Sequence, residues 1–285
     1  MVLVRSLSEA VGAVRTAPSL LLVSFAVVAL QIPTLVTQQA NVAAPSTVSL
    51  VSSVVSFLAG PIVLAGGVAL AADALDGGGD LGSFVAGVRD HAVGVFVGYL
   101  GLLFVATVFG VVGFVVFLIG GLFIGVGIVL GGGGTGVSVL GALAFLVLLF
   151  VVFGVPLLFV HFFGLAIVLD DQSVGDAFGR SVGVVRGNFL GMLGYGVVVF
   201  GFSIGGGLLG AVGSLGGAGT GGADTPSLAE TVEWLPALSG TEVLALQAGG
   251  LVLTGLSTAV FWPFSVAVYR EFRDRVVEPA TDEAP

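Results

Sequence analysis

The sequence predicts an all-α, polytopic transmembrane helical bundle, with six spans arranged as three repeats of an interfacial helix plus a transmembrane hairpin and both termini cytoplasmic. Three observations predict it. Of 285 residues, 56% are hydrophobic and 9% charged, where a water-soluble chain carries roughly 25% charged. The charges bracket four long uncharged tracts. A short segment ending in Arg recurs three times at tract boundaries. Together these describe a single membrane domain over residues 1–285, with repeat units 1–75, 76–169 and 170–275 and a short acidic tail, 276–285.

The spans follow from the tracts. A charge at the bilayer centre costs at least about 2.5 kcal/mol on insertion scales, so charges punctuate spans. The uncharged tracts are residues 16–72, 91–169, 187–223 and 243–269, of 57, 79, 37 and 27 residues. A spanning helix takes about 20 residues, so the first two tracts each hold a hairpin and the last two one helix each. The hairpin turns fall at residues 37–41 with Pro45, and in the glycine run 131–136. Arg5 and Arg15 then precede span one, Arg89 follows span two, Arg180 and Arg186 follow span four, and Arg270, Arg273 and Arg275 follow span six. Every Arg lies on one side. A seventh span in the 79-residue tract would put five of the eight outside, against the positive-inside rule. The third outer loop, residues 214–242, carries Asp224, Glu230, Glu233 and Glu242 and no base; Thr225-Pro226-Ser227 with Glu230 reads as a capped short helix, with Trp234 at the interface. The alternative at the N-terminus is a cleaved signal peptide with Leu20 to Leu30 as its apolar core. Against it, residues 2–15 already read as a helix containing Glu9, unlike an n-region.

The repeat rests on landmarks. Val11-Gly12-Ala13-Val14-Arg15, Val85-Ala86-Gly87-Val88-Arg89 and Val182-Gly183-Val184-Val185-Arg186 stand ahead of spans one, three and five. Pro61, Pro156 and Pro263 stand a few turns before the inner ends of spans two, four and six, each freeing the carbonyl four residues earlier and bending its helix. The interfacial helices show helical periodicity: Leu3, Leu7, Val11 and Val14; Leu81, Phe84, Val85 and Val88, opened by Asp80; Val174, Phe178, Val182 and Val185, opened by Ser173 with Asp176 three residues on. They are expected to lie on the inner leaflet with the apolar face down. Glycines four apart, among them Gly94 and Gly98, Gly187 and Gly191, and Gly201 and Gly205, let helix backbones approach closely in lipid and place spans three and five at the bundle centre.

Composition excludes much chemistry. All eight basic residues are Arg, so no lysine is present to cradle phosphates or form a Schiff base. Cys is absent, and His91 and His161 stand far apart, so no metal site and no cofactor is expected. A net charge of −9 has the wrong sign for nucleic acid or for anionic lipid headgroups. Gly201-Phe202-Ser203-Ile204-Gly205 has the G-x-S-x-G form of a hydrolase elbow, but sits inside an apolar helix instead of a strand-to-helix turn. An intramembrane dyad would pair Ser203 with His161, yet their depths differ by roughly 7 Å. Gly77-Gly78-Gly79-Asp80 matches the G-x-G-D string of intramembrane aspartyl proteases and reads better as a turn with a helix cap. The spans hold few polar groups beyond His161, Gln31, Gln247 and the boundary residue Asp73, which disfavours ion-coupled transport. His161 and Ser203 are left as the weak candidate polar site.

The stretch Asp176-Ala177-Phe178-Gly179-Arg180-Ser181-Val182-Gly183-Val184-Val185-Arg186-Gly187-Asn188-Phe189 resembles a segment of the membrane domain attached to some glycerophosphoryl diester phosphodiesterases, and of related uncharacterised six-helix families. Ala177-Phe178, Ser181, Gly187 and Phe189 carry the likeness; Val182 stands where that group often has Trp. With its acidic, Lys-free composition the chain is also similar to uncharacterised integral-membrane proteins of halophilic archaea. The resemblance implies a six-helix membrane fold, and without a soluble phosphodiesterase domain it implies no activity. The sequence thus points to a non-enzymatic multi-pass protein of the cell membrane, whose one identifiable partner is membrane lipid, acting as a membrane organiser or accessory subunit. The alternatives are a permease-like conduit for an uncharged or lipid-like solute and, more remotely, an intramembrane hydrolase.

Overall fold

A computed structural model describes residues 2–30, 32, 46–130, 155–202 and 240–277, and among these every element is a helix. In chain order they are α1 (Val2–Thr16), α2 (Ser19–Ala29), α3 (Ser46–Leu75), α4 (Leu81–Leu130), α5 (Val155–Val160), α6 (Phe163–Leu169), α7 (Val174–Gly187), α8 (Phe189–Phe202) and α9 (Gly240–Val277). Three helical stretches, Phe57–Leu75, Leu81–Val115 and Ala248–Val276, are long and apolar enough to cross a membrane. The count rises to five when the bent pairs α1–α2 and α7–α8 are each taken as one span. The expected hairpin turns, residues 214–239 of the acidic outer loop, Gln31 and Ser203 lie outside the described residues, while Glu242 falls in the first turn of α9.

Local chemistry explains the bends. Pro18 has no N–H to continue α1, so the chain turns by 92° into α2, with the Thr16 hydroxyl donating to the Gly12 and Ala13 carbonyls of the last turn. Asn188 does the same at the end of α7, where the turn into α8 is 101°. Its side-chain amide donates to the Val184 carbonyl and, 3.0 Å away, to the Phe272 carbonyl of α9. The caps fall where the sequence puts them. Asp80 accepts from the Ser83 N–H at 3.1 Å, and Ser173 accepts from the Asp176 N–H while donating to its carboxylate. Between α3 and α4, Gly77 and Gly79 take φ of +91° and +105°, which L side chains rarely adopt. The Asp73 carboxylate accepts from the Gly79 N–H, Gly79 fits directly against Ala17, and Ser19 donates to the Gly79 carbonyl. The α3–α4 turn is thereby fastened to the α1–α2 elbow.

Three expectations are corrected. The second interfacial helix is not separate from span three, because α4 runs unbroken from Leu81 to Leu130 through Arg89. Arg89 and Asp90 bring charge but no helix breaker, unlike Pro18 after α1 and Asn188 after α7. Next, the apolar faces of α1 and α7 rest on protein. Ser6, Ala10 and Ala13 are buried with Leu3, Leu7 and Val14 packed around them, and Ala177, Ser181, Val184 and Val185 are buried on α7. Finally, span three is not central. Leu103, Phe104, Val108, Val111 and Phe114 of α4 are exposed, while the core gathers on Phe264 to Phe272 of α9, Leu70 of α3, Phe162 and α6, and Met192 and Tyr195 of α8. Glycine spacing does mark contacts. Gly94 and Gly98 face Ile167 and Phe163, Gly187 and Gly191 face Val276 and Phe272, and Gly67 seats the Trp262 ring. Helices α3 and α9 each contain their expected proline, Pro61 and Pro263, and Pro156 lies in α5, the residue whose carbonyl it would free falling outside the described residues.

Candidate functional site

The helix breaks between α5 and α6 at His161 and Phe162, and polar side chains of three other helices converge there. At the break the His161 N–H reaches back only three residues, to the Leu158 carbonyl at 3.2 Å. The Phe162 N–H is taken instead by the hydroxyl of Ser181 on α7, at 3.1 Å, and that hydroxyl donates to the Phe159 carbonyl at 2.7 Å. One buried serine thus satisfies a donor and an acceptor that the broken helix could not satisfy itself.

His161 extends the convergence inward. Its Nε2 lies 2.8 Å from the Tyr195 hydroxyl of α8, which lies 2.8 Å from the Ser265 hydroxyl of α9. The Tyr195 ring stacks on Phe264 at 5.6 Å and meets Phe162 at 5.5 Å. Phe162 in turn contacts Tyr269 at 5.4 Å. The Tyr269 hydroxyl donates to Asp170 Oδ2 at 2.6 Å, Arg273 Nη1 donates to Oδ1 at 2.7 Å, and Arg180 Nε stands 3.6 Å away. The result is a polar seam of Ser265, Tyr195 and His161, then an aromatic spacer, then a carboxylate held by a phenol and two guanidiniums.

At the same end of the bundle an open cleft of about 480 Å³ is lined by Glu9, Thr16, Gly77, Arg270, Glu271 and Asp274 among others. Its charges are paired: Glu9 with Arg5, Glu271 with Arg275, Asp274 with Arg273, and Arg270 with Asp76 through two bonds of 2.8 and 3.0 Å. The bonds from Arg270 hold the Asp76 carboxyl below its ordinary value of 3.8. Among the described residues no three His, Asp or Glu side chains stand close enough to hold a metal ion. Of the two candidate polar residues, His161 is engaged with Tyr195, and Ser203 lies outside the described residues. Sequence reasoning missed Tyr195, Ser265, Asp170 and Tyr269, and singled out Ser181 only as part of a family motif. The available signal was rarity: the chain has three Tyr, and two of them are in this seam.

A model of a domain of unknown function, DUF7847, matches residues 1–272. The chain belongs to the DUF7847 family. No curated protein and no solved structure matches it. In this DUF7847 protein the Ala-Phe, Ser and Gly-x-Phe signature has a structural account. Ala177 is wholly buried, and Phe178 stacks on Phe163 with centroids 4.9 Å apart and planes at 9°. Ser181 bridges the helix break, Gly187 leaves room for Val276, and Phe189 stacks on Phe159 at 6.4 Å. The signature of this DUF7847 chain is therefore the set of residues that docks α7 across the broken helix.

Proposed function

We propose that the chain is a six-span protein of the cell membrane, one domain of three repeats with both termini cytoplasmic, that has no enzymatic activity and acts as a membrane organiser or accessory subunit. The observation that carries this reading is that His161 is fastened to Tyr195 and Ser265 on two other helices. A polar group so engaged holds helices together in lipid, where few other forces do. The orientation is supported by the gathering of Arg180, Arg270 and Arg273 with Asp76 and Asp170 at one end of the bundle. The glycine-rich, Lys-free, acidic composition supports a place among membrane proteins of salty cells. Cross-linking in native membranes followed by purification tests the role. An accessory subunit recovers another integral membrane protein in constant proportion; recovery of a soluble ATPase or solute-binding protein contradicts it.

The second reading, a conduit for an uncharged or lipid-like solute, draws on the break at His161–Phe162 and the two bent pairs, since interrupted helices line the sites of many transporters. Solute efflux from reconstituted vesicles above that of empty ones would favour it. For the remote hydrolase reading, any activity found must vanish in Ser203→Ala.

A further inference from the structure

Five of the eight arginines are paired: Arg5 with Glu9, Arg180 and Arg273 with Asp170, Arg270 with Asp76, and Arg275 with Glu271. The three that meet no carboxylate among the described residues are Arg15, Arg89 and Arg186, and all three are exposed. These are the same three that close the Val-small-x-Val-Arg segments. Asp90 follows Arg89 directly, but successive residues of a helix do not face each other. The selection is notable in a chain where acids outnumber bases 17 to 8.

Their placement is specific too. Arg15 stands three residues before Pro18 and Arg186 two before Asn188, at elbows where helices meet at 92° and 101°. If α2 and α8 run along the bilayer normal, α1 and α7 lie nearly in its plane, and the elbow residues fall at headgroup depth. Arg89 stands two residues from His91, whose Nδ1 is 3.8 Å from Asp171. Each site adjoins the charged end of the bundle: Thr16 lines the cleft with Arg270, Gly187 meets Val276, and Asp171 follows Asp170.

We infer that Arg15, Arg89 and Arg186 bind the phosphates of anionic lipid headgroups in one leaflet, one arginine in each unit. The inference rests on the reading that the chain spans a membrane with this end at the inner surface. A guanidinium presents a planar fork of donors that matches phosphate oxygens two at a time. The overall charge of −9 repels an anionic surface, but at physiological salt it is screened beyond about 8 Å, so an unpaired guanidinium at contact distance governs. The acids beside the other five arginines withhold those from lipid. The three repeat positions are left to bind it.

The test reconstitutes the full chain in phosphatidylcholine vesicles containing a minor fraction of phosphatidylglycerol, extracts it in mild detergent, and measures retained lipid by mass spectrometry. Wild type is expected to retain phosphatidylglycerol above its bulk share. Each Arg→Gln substitution at 15, 89 or 186 lowers its relative affinity about fivefold, the effect of one basic residue near an anionic surface, and the triple variant loses the enrichment. Arg→Lys variants, which keep the charge and lose the fork, keep part of it, and Arg5→Gln and Arg275→Gln keep all of it. Equal enrichment in the triple variant and wild type overturns the inference, as does displacement of phosphatidylglycerol by inorganic phosphate, which would make these free-phosphate sites. Failure of the wild type to insert into vesicles contradicts the spanning reading instead.

Discussion

The Ser181 hydroxyl of α7 donates to the Phe159 carbonyl of α5 at 2.7 Å while accepting from the N–H on the far side of the break, at Phe162. A helix interrupted in an apolar environment is tolerated when another element supplies the missing partners. Ser181→Ala removes both at once. Leaving a buried donor and acceptor unpaired costs about 1–3 kcal/mol, more than the ~0.6 kcal/mol of an average interhelical side-chain bond. Thermal unfolding in detergent is expected to show a clear fall in Tm for Ser181→Ala.

Tyr195 contributes through its ring and its hydroxyl separately. Tyr195→Phe keeps the stack on Phe264 and removes the link between His161 and Ser265, a loss of about 0.6–1.7 kcal/mol. Tyr195→Ala empties a wholly buried ring site and is expected to cost about 3–5 kcal/mol. Chemical denaturation of the two variants side by side, with Ser265→Ala and the double variant, measures the coupling through the hydroxyls.

Two ion pairs should separate by burial. Asp170 is 10% exposed and Asp76 62%. Asp170→Asn leaves Arg273 with only Asp274, a cost near the lower end of about 3–5 kcal/mol. Asp76→Asn is expected to cost at most about 1 kcal/mol. Denaturation midpoints in the same detergent rank the two, and a reversed order would contradict the burial argument.

The Asp76 carboxyl also sets a pH dependence. Its folded value lies below 3.8 because Arg270 bonds to the ionised form, so the pair stabilises fully above the unfolded value and the contribution is lost as pH falls through the folded one. The stability difference between wild type and Arg270→Gln is expected to be constant near neutrality and to shrink only below pH about 4.

Gly79 has both φ +105° and the Ala17 side chain against it. Gly79→Ala must strain the backbone, at about 1–3 kcal/mol, and push the α1–α2 elbow away. Gly77→Ala strains the backbone alone, since nothing stands within 4 Å of it. The first variant is expected to unfold at the lower temperature.

The amphipathic helices α1 and α7, and the caps of α4 and α7, were legible, because a 3.6-residue period and an Asp or Ser followed by free N–H groups act locally. Which surface covers Leu7 or Phe178 was not, since an apolar face presents the same pattern to lipid and to protein. Arg89 reads as a boundary in the sequence, but charge alone does not bend a helix, so α4 runs through it without a break. Gly94 and Gly98 marked a true contact without placing span three at the centre, because small residues report close approach and say nothing of how many neighbours surround the helix. Of the seam, only His161 was legible. Tyr195 and Ser265 are 70 residues apart, and no spacing rule links them; only the fold brings them to His161.

The chain contains no native cysteine, so single introduced cysteines report topology without ambiguity. In intact cells an impermeant maleimide is expected to modify Ser227→Cys, in the proposed third outer loop, and to modify Ser8→Cys on α1 only after permeabilisation. Modification of Ser8→Cys from outside, or protection of Ser227→Cys, would contradict the six-span arrangement with cytoplasmic termini.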